Sequence, residues 1–192
     1  MKLHDLIPGQ KIEGDWFQHA IPLNIVVGKN CKIDSTHCFK NYHSQRAIGL
    51  QTGDDVTFID SSLAIEENGL LKIGNRCYIG NASIVVSQQI EMGDEVFVAG
   101  GVTIVDSNFH PIDPVKRMED VIALSPSGDR TNRPIVEPNP VLIGDRVWIG
   151  LNATIMSGVR VGNDVIIEPG SVVLTDVPSG AKVAGNPAKT VE

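Results

Sequence analysis

The chain holds only three cysteines in 192 residues, a small and odd number that rules out a full disulfide framework. Aromatic residues make up 5% of it, so its core cannot be built of packed rings. Positive charge is the minority sign: 16 Lys and Arg against 23 Asp and Glu give a net charge of −7. With no basic stripe and no aromatic platform, no nucleic-acid partner is expected. No apolar run reaches the roughly 18 residues of a membrane-spanning helix. The opening MKLHDLIPGQKIEGDWFQHA lacks the apolar stretch of an export signal. These absences predict a cytoplasmic protein without a membrane span. No composition break divides the chain, so a single domain over 1–192 is expected.

Glycine, by contrast, is plentiful at 19 residues, and it is periodic. From Ile143 to Pro178 the chain reads IGDRVW-IGLNAT-IMSGVR-VGNDVI-IEPGSV-VLTDVP. Each six-residue unit opens on an aliphatic residue: Ile143, Ile149, Ile155, Val161, Ile167 and Val173. In extended chain alternate side chains share a face, so these residues and the fifth residues of the units point the same way. The fifths are Val147, Ala153, Val159, Val165, Ser171 and Val177. Glycine or a polar residue stands at most second or fourth positions, where the backbone must turn. Three short strands and three corners then make a triangular coil, and coils stack at about 4.8 Å. The expected class is all-β, a hexapeptide parallel β-helix. Cys31 and Cys77 occupy fifth positions and are expected to be reduced core residues.

The frame continues upstream in triplets beginning at Met92, Ile73, Thr52 and Val27, giving about six coils. Gln45–Gln51, Leu70–Lys72 and Glu91 fall between triplets and are expected as bulges at one corner. The earliest coil would turn His37 and His43 inward. The expected layout is an N-terminal cap over 1–26, four coils over 27–109, a loop over 110–142, two coils over 143–178 and a C-terminal segment over 179–192. The loop, HPIDPVKRMEDVIALSPSGDRTNRPIVEPNPVL, is 33 residues long with six prolines. It exceeds the roughly 12–15 residues beyond which an irregular loop is usually functional or disordered. Its stretch from Val115 to Leu124 is expected to form one or two turns of helix at most.

His110 opens that loop at the corner where the chain leaves the solenoid. An imidazole titrates near neutrality and is the usual general base there. Trp148, the sixth letter of its unit, faces outward, where a large ring needs a cover. Together the hexads, the loop opening DSNFHPIDP, the return PVLIGDRVWIGLNATI and the ending GSVVLTDVPSGAKVAGNPAK resemble the hexapeptide-repeat acyltransferases. Within them they resemble the sugar and polysaccharide O-acetyltransferases of O-antigen or capsule type. The likeness spans about residues 70–190.

The resemblance implies a left-handed coil, a homotrimer, and acetyl-CoA in each groove between neighbouring subunits. It makes His110 the base that takes a proton from an acceptor hydroxyl as that hydroxyl attacks the thioester, with no acyl-enzyme. No GxSxG serine and no cysteine near the loop offers a rival nucleophile. Trp148 is expected against the thioester end of acetyl-CoA or against the next subunit. Backbone groups of Gly150, Leu151, Pro169 and Gly170 are expected along the cofactor arm. The Thr-Lys pair of relatives is Leu174-Thr175 here, which keeps Thr175 near the arm and removes a cation. Lys189 matches a basic position near the adenosine phosphates, and Lys182 is a second candidate. On the acceptor side Asn81 matches a sugar-binding asparagine, with Ser83 and Asp106 as further hydrogen-bonding groups. Asp106 or a backbone carbonyl would orient His110.

Three other readings compete. An amino-sugar N-acetyltransferase would use the same base and groove. A non-catalytic scaffold would need neither the long loop nor the outward tryptophan. A hexapeptide carbonic anhydrase needs three converging histidines. His37 and His43 lie six residues apart on successive faces and His19 precedes the first coil, so no metal is expected.

Overall fold

A computed structural model describes residues 2–192. Its strands form three sheets, of six, nine and five strands, along which the chain steps in turn. Within the solenoid every strand pairing is parallel; Lys11 and Ala20 form an isolated antiparallel bridge, and antiparallel strand pairs close the two ends of the nine-stranded sheet. There His4–Asp5 closes on Lys32–Ile33, and Lys189–Val191 on Lys182–Ala184. These end strands cover edges that would otherwise offer unpaired backbone.

The hexad frame reads out as a stack. Thr52 pairs with Ile73, Ile73 with Met92, Met92 with Ile143 and Ile143 with Val161. Met92 and Ile143 are neighbours although the loop separates them in sequence. On the nine-stranded face Phe58, Ile79, Val98, Ile149 and Ile167 form one column, each fully buried. The fifth positions Val147, Ala153, Val159 and Val165 are buried as well. Cys31 and Cys77 are buried, unpaired thiols, as is Cys38.

Second and fourth positions turn out to be glycine or polar for different reasons. A Cβ on Gly144 would lie 2.8 Å from the backbone nitrogen of Asn163 in the next coil, so second positions are limited by the stacking distance. Fourth positions are left-handed: Arg146, Asn152 and Asp164 have φ of 55°, 56° and 59°. Third positions carry a ladder invisible in the hydrophobic pattern. The side chains of Asn75, Asp94, Asp145 and Asn163 accept from the backbone N–H of Asp54, Asn75, Asp94 and Asp145 at 2.8–2.9 Å. Each coil thereby satisfies a corner donor of the coil before it.

Four expectations are corrected. Leu70–Lys72 and Glu91 are no bulges: Leu70–Ile73 and Gln89–Met92 are strands in which Glu91 lies opposite Lys72, and Leu50, Leu71, Ile90 and Val141 make a fully buried column. One corner also departs from the six-residue count: Ser83, a fifth letter, is exposed while Ala82 and Ile84 are buried. That corner turns with one residue fewer, so Ile84 pairs with Ile104 and the apolar side chain takes the inner place. The first coil breaks into a 3-10 turn at Thr36–Phe39. His37 stacks beside Trp16 at 4.9 Å and His43 is exposed, so neither is in the core. Finally, the loop holds an 11-residue helix, α1 (Pro114–Leu124), longer than expected. Asp113 caps it by accepting from Val115 and Lys116 N–H at 3.0 and 2.9 Å, and Pro114 presets its first turn.

Candidate active site

The loop leaves and rejoins the solenoid at Asp106, which is fully buried. Its carboxylate accepts from the N–H groups of Ser87, Gln88 and Gln89, each at 2.7 Å. Its carbonyl accepts from Asn139 N–H at 2.7 Å and Ser157 Oγ at 2.9 Å. Asp106 is therefore a staple for both loop ends. It makes no hydrogen bond to His110, and a carboxylate filled by three backbone donors has little left for a sugar. The expected roles of Asp106 as orienter and acceptor contact are thus corrected.

From that staple the chain turns sharply. Ser107 Oγ accepts from Phe109 N–H at 3.0 Å, Phe109 takes φ 57°, and His110 N–H donates to Asn108 O at 2.6 Å. A non-glycine residue held left-handed beside a candidate base is where backbone strain tends to be stored. α1 then returns Asp120 beneath the imidazole, with His110 Nδ1 and Asp120 Oδ2 2.6 Å apart. Arg133, on the returning limb of the loop, donates from Nε to Asp120 Oδ1 at 2.7 Å and from Nη2 to Phe109 O at 2.9 Å. The carboxylate is 1% exposed while the imidazole is 57% exposed.

Arg133, and after it His110, holds the Asp120 carboxyl below the usual carboxylate range. An ionised carboxylate only accepts, so Nδ1 must carry the proton and neutral His110 keeps a lone pair on Nε2. The network thus assigns the tautomer a general base requires. His110 borders a shallow hollow of about 280 Å³ with Ile112, Lys116, Ile135 and Glu137.

The other expected site residues lie elsewhere. Trp148 is on the outer side of the nine-stranded sheet, 37% exposed, between Phe97 and Ile166. Phe97 itself stacks on Tyr78 at 4.8 Å. Gly150, Leu151, Pro169 and Gly170 share the corner between the nine- and five-stranded sheets. A Cβ on Gly150 would lie 2.6 Å from Pro169 N, and Leu151 is exposed. Asn81 belongs to the same corner column. It has φ 42°, its N–H donates to Ile59 O and its carbonyl accepts from Gly101 N–H, so it serves as a turn residue there. Ser83 is exposed just beyond it, and Thr175 and Lys189 are exposed near the C-terminal end. Lys182 is engaged with Glu168 at 2.6 Å, which leaves Lys189 the freer cation.

The loop stands at the corner between the five- and six-stranded sheets. His110 and the Gly150–Gly170 corner thus lie at opposite edges of the five-stranded face. Sequence reasoning missed Asp120 and Arg133. A signal was present: Asp113-Pro114 is a helix start, and from it Asp120 and Ala123 fall on one face, the two residues α1 buries. Among the described residues no group of three or more His, Cys, Asp or Glu could hold a metal ion. None of the described helices is long and apolar enough to cross a membrane.

Two family descriptions match the solenoid: "Bacterial transferase hexapeptide (six repeats)" over residues 140–175 and "Hexapeptide repeat of succinyl-transferase" over 70–105. The Saccharomyces cerevisiae protein named "Putative acetyltransferase YJL218W" is 34% identical over 125 residues, 62% of this chain and 56% of that protein. The 2,3,4,5-tetrahydropyridine-2,6-dicarboxylate N-acetyltransferase of Staphylococcus aureus is 51% identical over 61 residues, 30% of this chain and 26% of that enzyme. The chain therefore spans little more than half of one relative and about a quarter of the other. Among solved structures, a galactoside acetyltransferase in complex with coenzyme A superposes with TM-score 0.60 at 26% identity, over 75% of this chain and 64% of that one. A hexapeptide-repeat acetyltransferase of Vibrio cholerae, complexed with acetyl-CoA, has the same fold, with TM-score 0.62 at 23% identity over 81% and 73% of the two chains.

Proposed function

We propose that this chain, whose solenoid matches hexapeptide-repeat transferase descriptions over residues 140–175 and 70–105, is a hexapeptide-repeat acyltransferase that transfers an acetyl group from acetyl-CoA to a sugar hydroxyl. The observation that carries the proposal is the His110–Asp120–Arg133 chain. Nε2 takes the acceptor's proton while its oxygen attacks the thioester carbonyl. A backbone N–H meets the oxyanion, the C–S bond breaks, and the departing thiolate recovers the proton from Nε2. The products are an acetyl ester and CoA. Asp120 stays ionised throughout and stabilises the transient imidazolium. Bound acetyl-CoA and coenzyme A in the similar structures support the choice of donor.

On this reading the coil is left-handed and six turns deep, one domain over 1–192, and the working unit is a homotrimer. Separation of His110 from the Gly150–Gly170 corner supports the trimer, because one subunit's loop can then face its neighbour's corner. Trp148, Thr175 and Lys189 would line the cofactor side, and Asn81 and Ser83 the acceptor side. A cytoplasmic place in polysaccharide biosynthesis belongs to the same reading; three buried free thiols suit a reducing compartment.

N-acetylation is the second reading, favoured by the S. aureus N-acetyltransferase match. Mild alkali separates the two, since it releases acetyl from an ester and leaves an amide. The reading as a whole is tested by His110→Ala. CoA release should fall by about 10²–10⁴, the contribution of a general base, with the melting temperature almost unchanged because the imidazole is exposed. An active variant would remove His110 from the mechanism.

A further inference from the structure

We infer that Ser107 is a positioning residue for His110: its hydroxyl clamps the strained turn that aims the imidazole at Asp120, and ties that imidazole to the solenoid. The kinetic consequence rests on the transferase reading above; the geometry assigned to His110 does not.

Packing does little to orient His110, whose side chain is 57% exposed. The ring is fixed by one hydrogen bond, to Asp120 at 2.6 Å, and by the direction in which the backbone delivers it. That delivery is unusual. His110 N–H donates to Asn108 O, two residues back, at 2.6 Å, round a Phe109 whose φ is 57°. Such a bond round a central residue of positive φ is the pattern of the γ-turn that is rare and strained. Phenylalanine has neither the freedom of glycine nor the local hydrogen bonding of asparagine that makes this backbone easy. A turn of this kind persists only where its surroundings over-determine it.

Both amide groups of Phe109 are held. Its N–H donates to Ser107 Oγ at 3.0 Å, and its carbonyl accepts from Arg133 Nη2 at 2.9 Å. The two clamps are rooted differently. Arg133 belongs to the loop, as do Asp120 and α1, so it moves with the network it serves. Ser107 is 3% exposed and directly follows Asp106, whose carboxylate is bound by the coil before it and whose carbonyl is bound by Ser157 in the coil after it. The Ser107 hydroxyl therefore registers a base assembled inside the loop against the coils. Without it the turn relaxes, and misplacing a reacting group by as little as about 1 Å costs about 10² in rate.

The test compares Ser107→Ala, Ser107→Thr and the double variant Ser107→Ala with Phe109→Gly, all in the full chain. The readouts are steady-state CoA release and nitrogen NMR of the imidazoles, with His110→Ala to assign the signal. Ser107→Ala should lower kcat by about 10- to 100-fold with the acetyl-CoA KM unchanged, and should move His110 from the Nδ1–H form toward the Nε2–H form that free imidazole side chains prefer. Ser107→Thr keeps the hydroxyl and should keep both properties. Glycine adopts positive φ without a clamp, so the double variant should regain most of the lost kcat and of the Nδ1–H form, a rescue that a purely structural role for Ser107 would not give. An unchanged kcat or an unchanged tautomer in Ser107→Ala, or a double variant no better than the single one, would overturn the assignment and leave the transferase standing. No CoA release by the unaltered chain with any acceptor would overturn the transferase reading instead, and the nitrogen spectra would still decide the role of Ser107.

Discussion

At Asp120 two donors share one carboxylate, His110 on Oδ2 and Arg133 on Oδ1. The guanidinium does more than pair with the acid. By keeping it ionised it fixes which imidazole nitrogen bears the proton, and so which one is free to accept. On the proposed mechanism, Asp120→Asn removes the charge that would stabilise the imidazolium and offers an amide that can turn its N–H₂ toward Nδ1, reversing the tautomer. Its kcat should fall by about 10² or more, with the acetyl-CoA KM little altered. Steady-state kinetics check this, and an unchanged kcat would mean the carboxylate only holds the loop. His110 was legible in the sequence because it stands where the period breaks. Asp120 and Arg133 were not, since ten and thirteen further residues of aperiodic chain separate these partners and only the folded loop closes the distances. Asp106, four residues before His110, is the nearer acid along the chain but not its partner, because nearness in sequence says nothing about which way a buried carboxylate points.

Corners, more than strands, set how this coil tolerates change. Gly144→Ala would drive a Cβ into Asn163 of the next coil, and the required shift should cost about 1–3 kcal/mol, as overpacking does. Thermal denaturation would register it, and a midpoint equal to wild type would mean the stack is looser than drawn. The corners also carry charge ladders. Arg146 holds Asp164 below its ordinary range, backbone and side-chain bonds from Asn75 do so for Asp94, and between paired strands Lys72 does so for Glu91. A lowered folded pKa gives stability that is present above the unfolded value, about 4, and is lost as pH falls through the folded value. The melting temperature should therefore hold between about pH 7 and 5 and decline progressively below about pH 4. Because Arg146 and Asp164 are half exposed, Asp164→Asn alone should cost little; a large loss would show that the ladder acts as a unit. Only the apolar letters of these hexads announce themselves as a period; the corner ladder of Asp and Asn was hidden among residues that also read as ordinary turn formers.

Across the whole molecule the division of labour is geometric. His110 and the corner column lie at opposite edges of one face, and Tyr78, Phe97, Trp148 and Ile166 line the outside of another. If sites form between copies, a subunit lacking its base and a subunit with a damaged corner should complement. Co-expressed His110→Ala and Leu151→Asp chains should recover a measurable share of activity that neither has alone, since some interfaces pair an intact loop with an intact corner. No recovery in verified mixed oligomers would confine the site to one protomer.

Composition and period by themselves determined the coil, the register of its later turns, the burial of its aliphatics and the position of the interruption. They could do so because a two-residue alternation bent every six residues leaves one inner face, and apolar side chains must fill it. Only the tertiary structure decided where a corner drops a residue, turning Ser83 outward and Ile84 in, and which carboxylate meets His110. Those outcomes depend on how separate stretches of chain compete for the same space and the same hydrogen-bond donors, and no local pattern of letters records that competition.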